Sequence, residues 1–380
     1  MVEIQVAKEE KSVQEKASRS RVVGLDVLRC LSMLMVVGIH AATYTGICES
    51  NDRSALNHFF IVCFKAVVIV GVNCFWLISG YFLSQSKTFR LKRCLALWGW
   101  VIFYSWLSLA LSATFTMPPS GRDLLVGLFP IWGGCYWFMS VYLALLFLAP
   151  FVNRALHAFS RSQHVKFLSV ALVLTSILPV LNCHRFDPGS FNLVWALILY
   201  WIGGFIRLHV TPSVRMTQRA AWGTLAGYAL LFICLAANLV CKKLWGIRPF
   251  PYEQYNFPVT CFVSISLFLF FLGLPMRADG FWGRGASVCV PNVLGVYLIH
   301  ESPFVRGPLW AWVGGSDFRS AGFPLRVLLS VPLIFVTCLV LDRVLHFGVR
   351  VLGQFLSRSF PVHLGSDVCT PGGNSTERAE

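Results

Sequence analysis

Charge is scarce in this sequence. Asp, Glu, Lys and Arg make up 13% of its 380 residues, apolar types make up 56%, and mean hydropathy is +0.66. A soluble globular domain is about twice as charged. The shortage therefore excludes one and leaves a chain that crosses a membrane several times. Paired cysteine motifs are missing too. None of the 13 Cys stands in a Cys-x-x-Cys pair, and none has metal-ligand spacing. Most lie in apolar runs, where Cys behaves as a small hydrophobe. The outer-loop cysteines Cys48, Cys135, Cys183 and Cys241 show no pattern that supports a disulfide. No internal repeat is visible, and no stretch has the composition of a separate soluble domain. The N-terminal stretch is not expected to be a cleavable signal peptide. The first apolar run is too long, carries charges and has no small-residue cleavage site behind it.

Hydropathy predicts an all-α polytopic protein with about ten transmembrane helices around a polar cavity. The spans fall near 22–45, 58–84, 93–115, 134–152, 165–182, 191–209, 219–240, 256–275, 287–305 and 323–346. Residues 1–20 form a polar tail, 21–356 the membrane domain, and 357–380 a Ser-, Gly- and Thr-rich disordered tail. The net charge of +15 fits the positive-inside rule better than nucleic-acid binding, because Lys and Arg fall mostly in alternate loops. Lys87, Arg90, Lys92 and Arg93 follow span two. Arg154, Arg161 and Lys166 follow span four, and Arg207, Arg215 and Arg219 follow span six. These loops and both termini are expected on the cytoplasmic side of a bacterial plasma membrane. The loop with Lys242, Lys243 and Arg248 breaks the rule. The sequon at Asn374 would be inert on the inner side.

The first span, from Gly24 to His40, organises the rest. It carries Asp26, Arg29 and His40 inside an apolar helix, and ionisable groups there point to a functional site. The step of 11 residues from Arg29 to His40 leaves an angular offset of only ~20° and a separation of roughly 16 Å along the axis. Asp26, three residues before Arg29, is spaced to pair with it. One face thus bears an ion pair near one end and an imidazole farther along. Histidine suits general-base work near neutral pH. A structural histidine bonded to a neighbouring helix is the competing explanation.

Later motifs carry weaker signals. Ser79-Gly80 is a small pair whose plainest use is close helix packing. Ser79 itself stays open. Lys65 lies near an outer end and is expected to snorkel. Arg90 and Arg93 share a side of one helical turn. Their pattern fits ordinary positive-inside charge or a seat for the phosphates of a nucleotide-like ligand. Tyr136-Trp137-Phe138 reads as an aromatic belt. The Tyr252–Pro258 stretch suits either sugar binding or a plain interfacial loop. Tyr297 and His300 lie in span nine, which runs in the same direction as span one. His300 therefore falls at a depth similar to His40, and the two are expected to face one cavity.

Taken together, these motifs resemble the acyltransferase type 3 membrane proteins over roughly residues 20–350. Arg29-x10-His40, with Leu25-Asp26 and Leu28 before it, looks like that family's first-helix signature. Ser79-Gly80-Tyr81, Arg90-x-x-Arg93 and Tyr297-Leu-Ile-His300 match its later motifs in order. The chain looks most like the short members without an added esterase-like domain. The resemblance implies acyl transfer from cytoplasmic acyl-CoA, usually acetyl-CoA, to a hydroxyl of a surface carbohydrate or a lipid-linked glycan, with no bound cofactor. His40 and His300 would be catalytic. Arg29, Arg90 and Arg93 would hold the donor, and Asp26, Ser79 and Tyr297 would support them. The family gives no role for Glu301. A secondary transporter or flippase is the rival reading, since intramembrane charge serves transport equally well.

Overall fold

The computed structural model describes residues 22–86, 88, 91–115, 120–130, 136–181, 189–315 and 317–359. The protein is an all-α polytopic membrane protein. Among the described residues the only β feature is an isolated bridge between Arg53 and Phe318. Among the described residues, seven helical segments are long and apolar enough to cross a bilayer, or eight if a bent pair counts as one span. Two shorter apolar helices, Leu193–His209 and Pro258–Gly273, occupy the places of expected spans six and eight.

The order is α1 (Val23–Tyr44), α2 (Ala55–Val68), α3 (Gly71–Leu83), α4 (Leu91–Phe115), α5 (Gly121–Leu128) and α6 (Trp137–Ala158). Then follow α7 (Arg161–Leu172), α8 (Leu193–His209), α9 (Val214–Trp245), α10 (Pro258–Gly273), α11 (Phe281–Cys289), α12 (Val293–His300), α13 (Pro303–Gly314) and α14 (Phe323–Ser359). The chain divides into a unit ending at Leu339 and a second unit beginning at Val340. Within the second, His346 and Asp342 lie one helical turn apart, 3.4 Å from each other. The polar residues of the expected site all lie in the first unit.

α1 is its axis. It packs against α2, α3, α10, α11, α12 and α13, and 72% of its apolar window is buried, against 28–39% for α4, α6, α7, α9 and α14. A helix so enclosed keeps few lipid-facing positions, which is why it tolerates Asp26, Arg29 and His40. The second expected span is continuous in length but divides at Ile69–Val70 into α2 and α3. α3 then lies against α8 with almost no side chain between them. A Cβ on Gly80 would come within 2.0 Å of the Tyr200 carbonyl oxygen, and one on Gly203 within 2.2 Å of that of Leu77. Small residues at a membrane interface permit this approach. Gly203→Ala should therefore force the helices apart and cost roughly 1–3 kcal/mol. The check is the yield of monodisperse protein after mild heating in detergent.

Polar groups tie the same region together. Asn73 is fully buried on α3. Its amide donates to the Tyr255 carbonyl at 2.8 Å and to Ser264 Oγ at 3.2 Å, and its oxygen accepts from Trp195 Nε1 at 3.1 Å. Tyr252, Tyr255, Asn256 and Phe257 are buried in the packing, while Glu253 is exposed and Gln254 half-buried, so the aromatic residues of this stretch belong to the core. A hydroxyl or amide buried in the bundle is costly unless it finds a hydrogen-bond partner. Ser176 Oγ accordingly donates to the Asn256 carbonyl at 2.6 Å, and the Asn256 amide donates to the Thr175 carbonyl at 2.9 Å. Lys65 does not simply snorkel. Its ammonium meets Glu253 at 2.7 Å. Cys48 and Cys241 are free thiols, whereas Cys135 and Cys183 lie outside the described residues, as do residues 1–20 and 360–380; residues 357–359 of the expected C-terminal tail continue α14.

Candidate active site

The polar stripe of α1 runs along a cavity of about 540 Å³. Arg29, Met33 and Val36 line it, at the three- and four-residue steps that keep one helix face together. Phe75, Ser79 and Phe82 of α3, Arg93 of α4, Phe138 and Met139 of α6, and Val293 and Tyr297 of α12 complete the wall. Arg29 sits 3.5 Å from Asp26 and 5.7 Å from the centre of the Phe82 ring. Its charge is thus held at the cavity rather than buried unpaired. Ser79 lines the cavity while its hydroxyl donates to the Phe75 carbonyl at 2.8 Å. Arg93 faces the same space from an exposed position. Arg90 lies outside the described residues.

The stripe continues past the cavity to His40, one turn beyond Val36. His40 Nδ1 is 2.8 Å from His300 Nε2 and 3.2 Å from Glu301 Oε2. Glu301 Oε1 accepts from Tyr44 at 3.2 Å and from Arg306 Nη1 at 3.0 Å. The Arg306 guanidinium also lies over the Tyr44 ring, 4.9 Å from its centre. The two histidines expected to share one level are therefore in direct contact. Neither lines the cavity itself. Tyr297 stands next to both, with ring centres 6.5 Å from His40 and 6.1 Å from His300.

Local chain geometry explains why these groups meet. His300 ends α12, and Pro303 opens α13. Proline has no N–H to continue the ladder, and the two helical segments turn through 84° there. Glu301 and Ser302 occupy the break. Ser302 is anchored to Ser108 Oγ at 2.6 Å. Glu301 is 2% exposed and is directed back at α1. Tyr44, one turn after His40 on the same face, meets it from the other side.

The hydrogen bonds fix the tautomers. His300 Nδ1 lies 2.5 Å from the Val296 carbonyl. A carbonyl only accepts, so Nδ1 carries the proton and a neutral His300 keeps its lone pair on Nε2. His40 Nδ1 must then donate, with His300 Nε2 as the acceptor and the Glu301 carboxylate 3.2 Å away as a nearby charge rather than a hydrogen-bond partner. The lone pair of His40 is left on Nε2. His40 keeps 7% of its surface exposed, and His300 keeps none. Of the two, His40 is the one a substrate can reach.

One expectation is overturned, and one residue without an assigned role gains a place. Tyr136, Trp137 and Phe138 are not an interfacial belt. Tyr136 is fully buried and donates to the Leu298 carbonyl at 3.1 Å, Trp137 stacks on Tyr255 with ring centres 6.1 Å apart, and Phe138 lines the cavity. The α6 start is set inside the bundle, where aromatic area is buried against other rings. Glu301 belongs to the histidine cluster. Its signal was available as an acidic residue in an otherwise apolar stretch, with Arg306 five residues on. Among the described residues, no three His, Cys, Asp or Glu side chains are placed to hold a metal ion.

These features define a membrane-embedded protein with a deep cavity leading toward a buried His–His–Glu cluster. A family model described as an acyltransferase domain matches residues 22–343, and the chain belongs to that family, acyltransferase 3. It is a multi-pass membrane acyltransferase. No curated protein and no solved structure matches the chain.

Proposed function

We propose that this acyltransferase moves an acyl group, in the simplest case acetyl, from cytoplasmic acyl-CoA to a hydroxyl of a surface carbohydrate or lipid-linked glycan. The sequence pattern resembles the enterobacterial common antigen O-acetyltransferase in the same sense. The observation that carries this reading is the alignment of cavity and cluster along one face of α1. Basic side chains, Arg29 and Arg93, stand on the cavity wall, and His40 lies just past its far end. A volume of about 540 Å³ is in the ordinary range for a small-molecule site. Its mostly apolar wall suits a thin acyl-pantetheine arm, while guanidinium groups suit phosphates. The donor would enter from the cytoplasmic side, at the Arg29 end, and the acceptor from the opposite side of the plasma membrane. Asp26 keeps Arg29 in place, and His300 and Glu301 orient His40. His40 Nε2 takes the acceptor proton as the hydroxyl oxygen attacks the thioester carbonyl.

The test is purified protein in liposomes with labelled acyl-CoA on one side and glycan acceptor on the other. Thiol release and a mass gain on the acceptor should appear together. Acceptor movement without either product would favour transport instead. Arg93→Ala should raise the donor KM roughly 3- to 10-fold, since an exposed charge-assisted contact contributes at the low end of its range. The rise should shrink with added salt. An unchanged KM would leave Arg93 as a topology signal only.

A further inference from the structure

The far end of the cavity is built from two elements that have no task in the mechanism so far. One is the start of α6. Its N-cap residue, Tyr136, makes no side-chain cap bond to the helix, and the first amides of a helix have no acceptor within it. Phe138 and Met139 of this first turn line the cavity. The other is Tyr297. It is 4% exposed and lines the cavity, and its hydroxyl has no hydrogen-bond partner among the described residues. The hydroxyl lies beside the Phe138 amide in a geometry that falls short of a hydrogen bond. A buried hydroxyl without a partner costs free energy, and a helix start carries a partial positive charge. Both deficits are met by one guest, an oxygen that carries negative charge.

We propose that the Tyr297 hydroxyl and the first-turn amides of α6 form the oxyanion site for the acyl carbonyl. The inference rests on the acyl-transfer reading above. As the acceptor oxygen bonds to the carbonyl carbon, its proton passes to His40 Nε2. The carbonyl π electrons move onto the carbonyl oxygen, which becomes the oxyanion. Tyr297 donates a hydrogen bond to that oxygen and keeps its proton. On collapse the C–S bond breaks, and the CoA sulfur leaves with the bonding electrons and takes the proton back from His40. The donors are fixed before reaction, which is the condition under which such sites accelerate most. Tyr297 adjoins both imidazoles, so the oxyanion site and the base flank one reacting carbon.

The experiment uses the full chain in liposomes and compares Tyr297→Phe with wild type per folded molecule. We expect kcat to fall ~10²–10³-fold with donor KM within about twofold, because the interaction forms only in the transition state. If the residue merely packs, phenylalanine should serve as well. A fluorotyrosine series at position 297 keeps ring and hydroxyl and varies only acidity, so kcat should change along it even if the Phe variant folds poorly. A Phe variant within about threefold of wild-type kcat, or a flat fluorotyrosine series, overturns the inference alone. A folded wild type that cleaves no donor and modifies no acceptor overturns the acyl-transfer reading and this inference with it.

Discussion

His40→Ala should abolish acyl transfer while the protein stays folded and inserted. His40 is the more accessible of two buried imidazoles, and its Nδ1 is occupied by His300, with the Glu301 carboxylate 3.2 Å away. Its Nε2 therefore holds the lone pair that can accept a proton. A positioned general base contributes ~10²–10⁴-fold to rate, so the loss should be large. His300→Ala should cost less, since His300 has no exposed surface and acts by fixing the tautomer of His40. A purely structural His40 makes the opposite forecast. Folded yield would drop, and the surviving molecules would work at near wild-type rate. Transfer rate per monodisperse molecule separates the two outcomes. A near wild-type rate would remove His40 from the mechanism.

The stripe on α1 was legible because helical periodicity alone places Arg29 and His40 on one face. The approach of His300 was legible from the matched direction and depth of two spans. Gly80 was legible as a packing residue because small side chains in a membrane helix have few other uses. What the sequence left hidden came from breaks in helices. The division at Ile69–Val70 leaves no hydropathy signal. The 84° turn before Pro303 brings Glu301 and Arg306 back onto α1, whereas a straight span nine would have carried Arg306 out to the membrane surface. Tyr136 and Trp137 were misassigned for a related reason. Aromatics at the start of a span look interfacial whenever that start is assumed to lie at the membrane edge. Arg90, half of the expected arginine pair, lies outside the described residues.

Glu301→Gln should give the second large loss, and it isolates charge from shape. The carboxylate oxygen lies 3.2 Å from His40 Nδ1, and its negative charge there favours the proton on that nitrogen and leaves Nε2 basic. A glutamine amide can donate instead. With its N–H₂ turned to Nδ1, it would stabilise the other tautomer, placing the proton on Nε2 and removing the base. The carboxylate also offsets the charge that His40 acquires when it takes the acceptor proton, and a neutral amide does so only weakly. A wrong-tautomer change beside a catalytic histidine costs up to ~10⁴-fold, and we expect ~10²–10⁴ in kcat here with the donor KM unchanged. Stability should suffer little. Arg306, the other partner of Glu301, is 39% exposed and regains water when the charge is lost. Glu301→Asp should recover part of the rate, since it restores the charge but shortens the reach to His40. Transfer rates of the folded Gln and Asp variants, measured at saturating donor, decide the matter. A Gln variant within about threefold of wild type would show that the cluster's carboxylate holds α12 to α1 and takes no part in orienting the base.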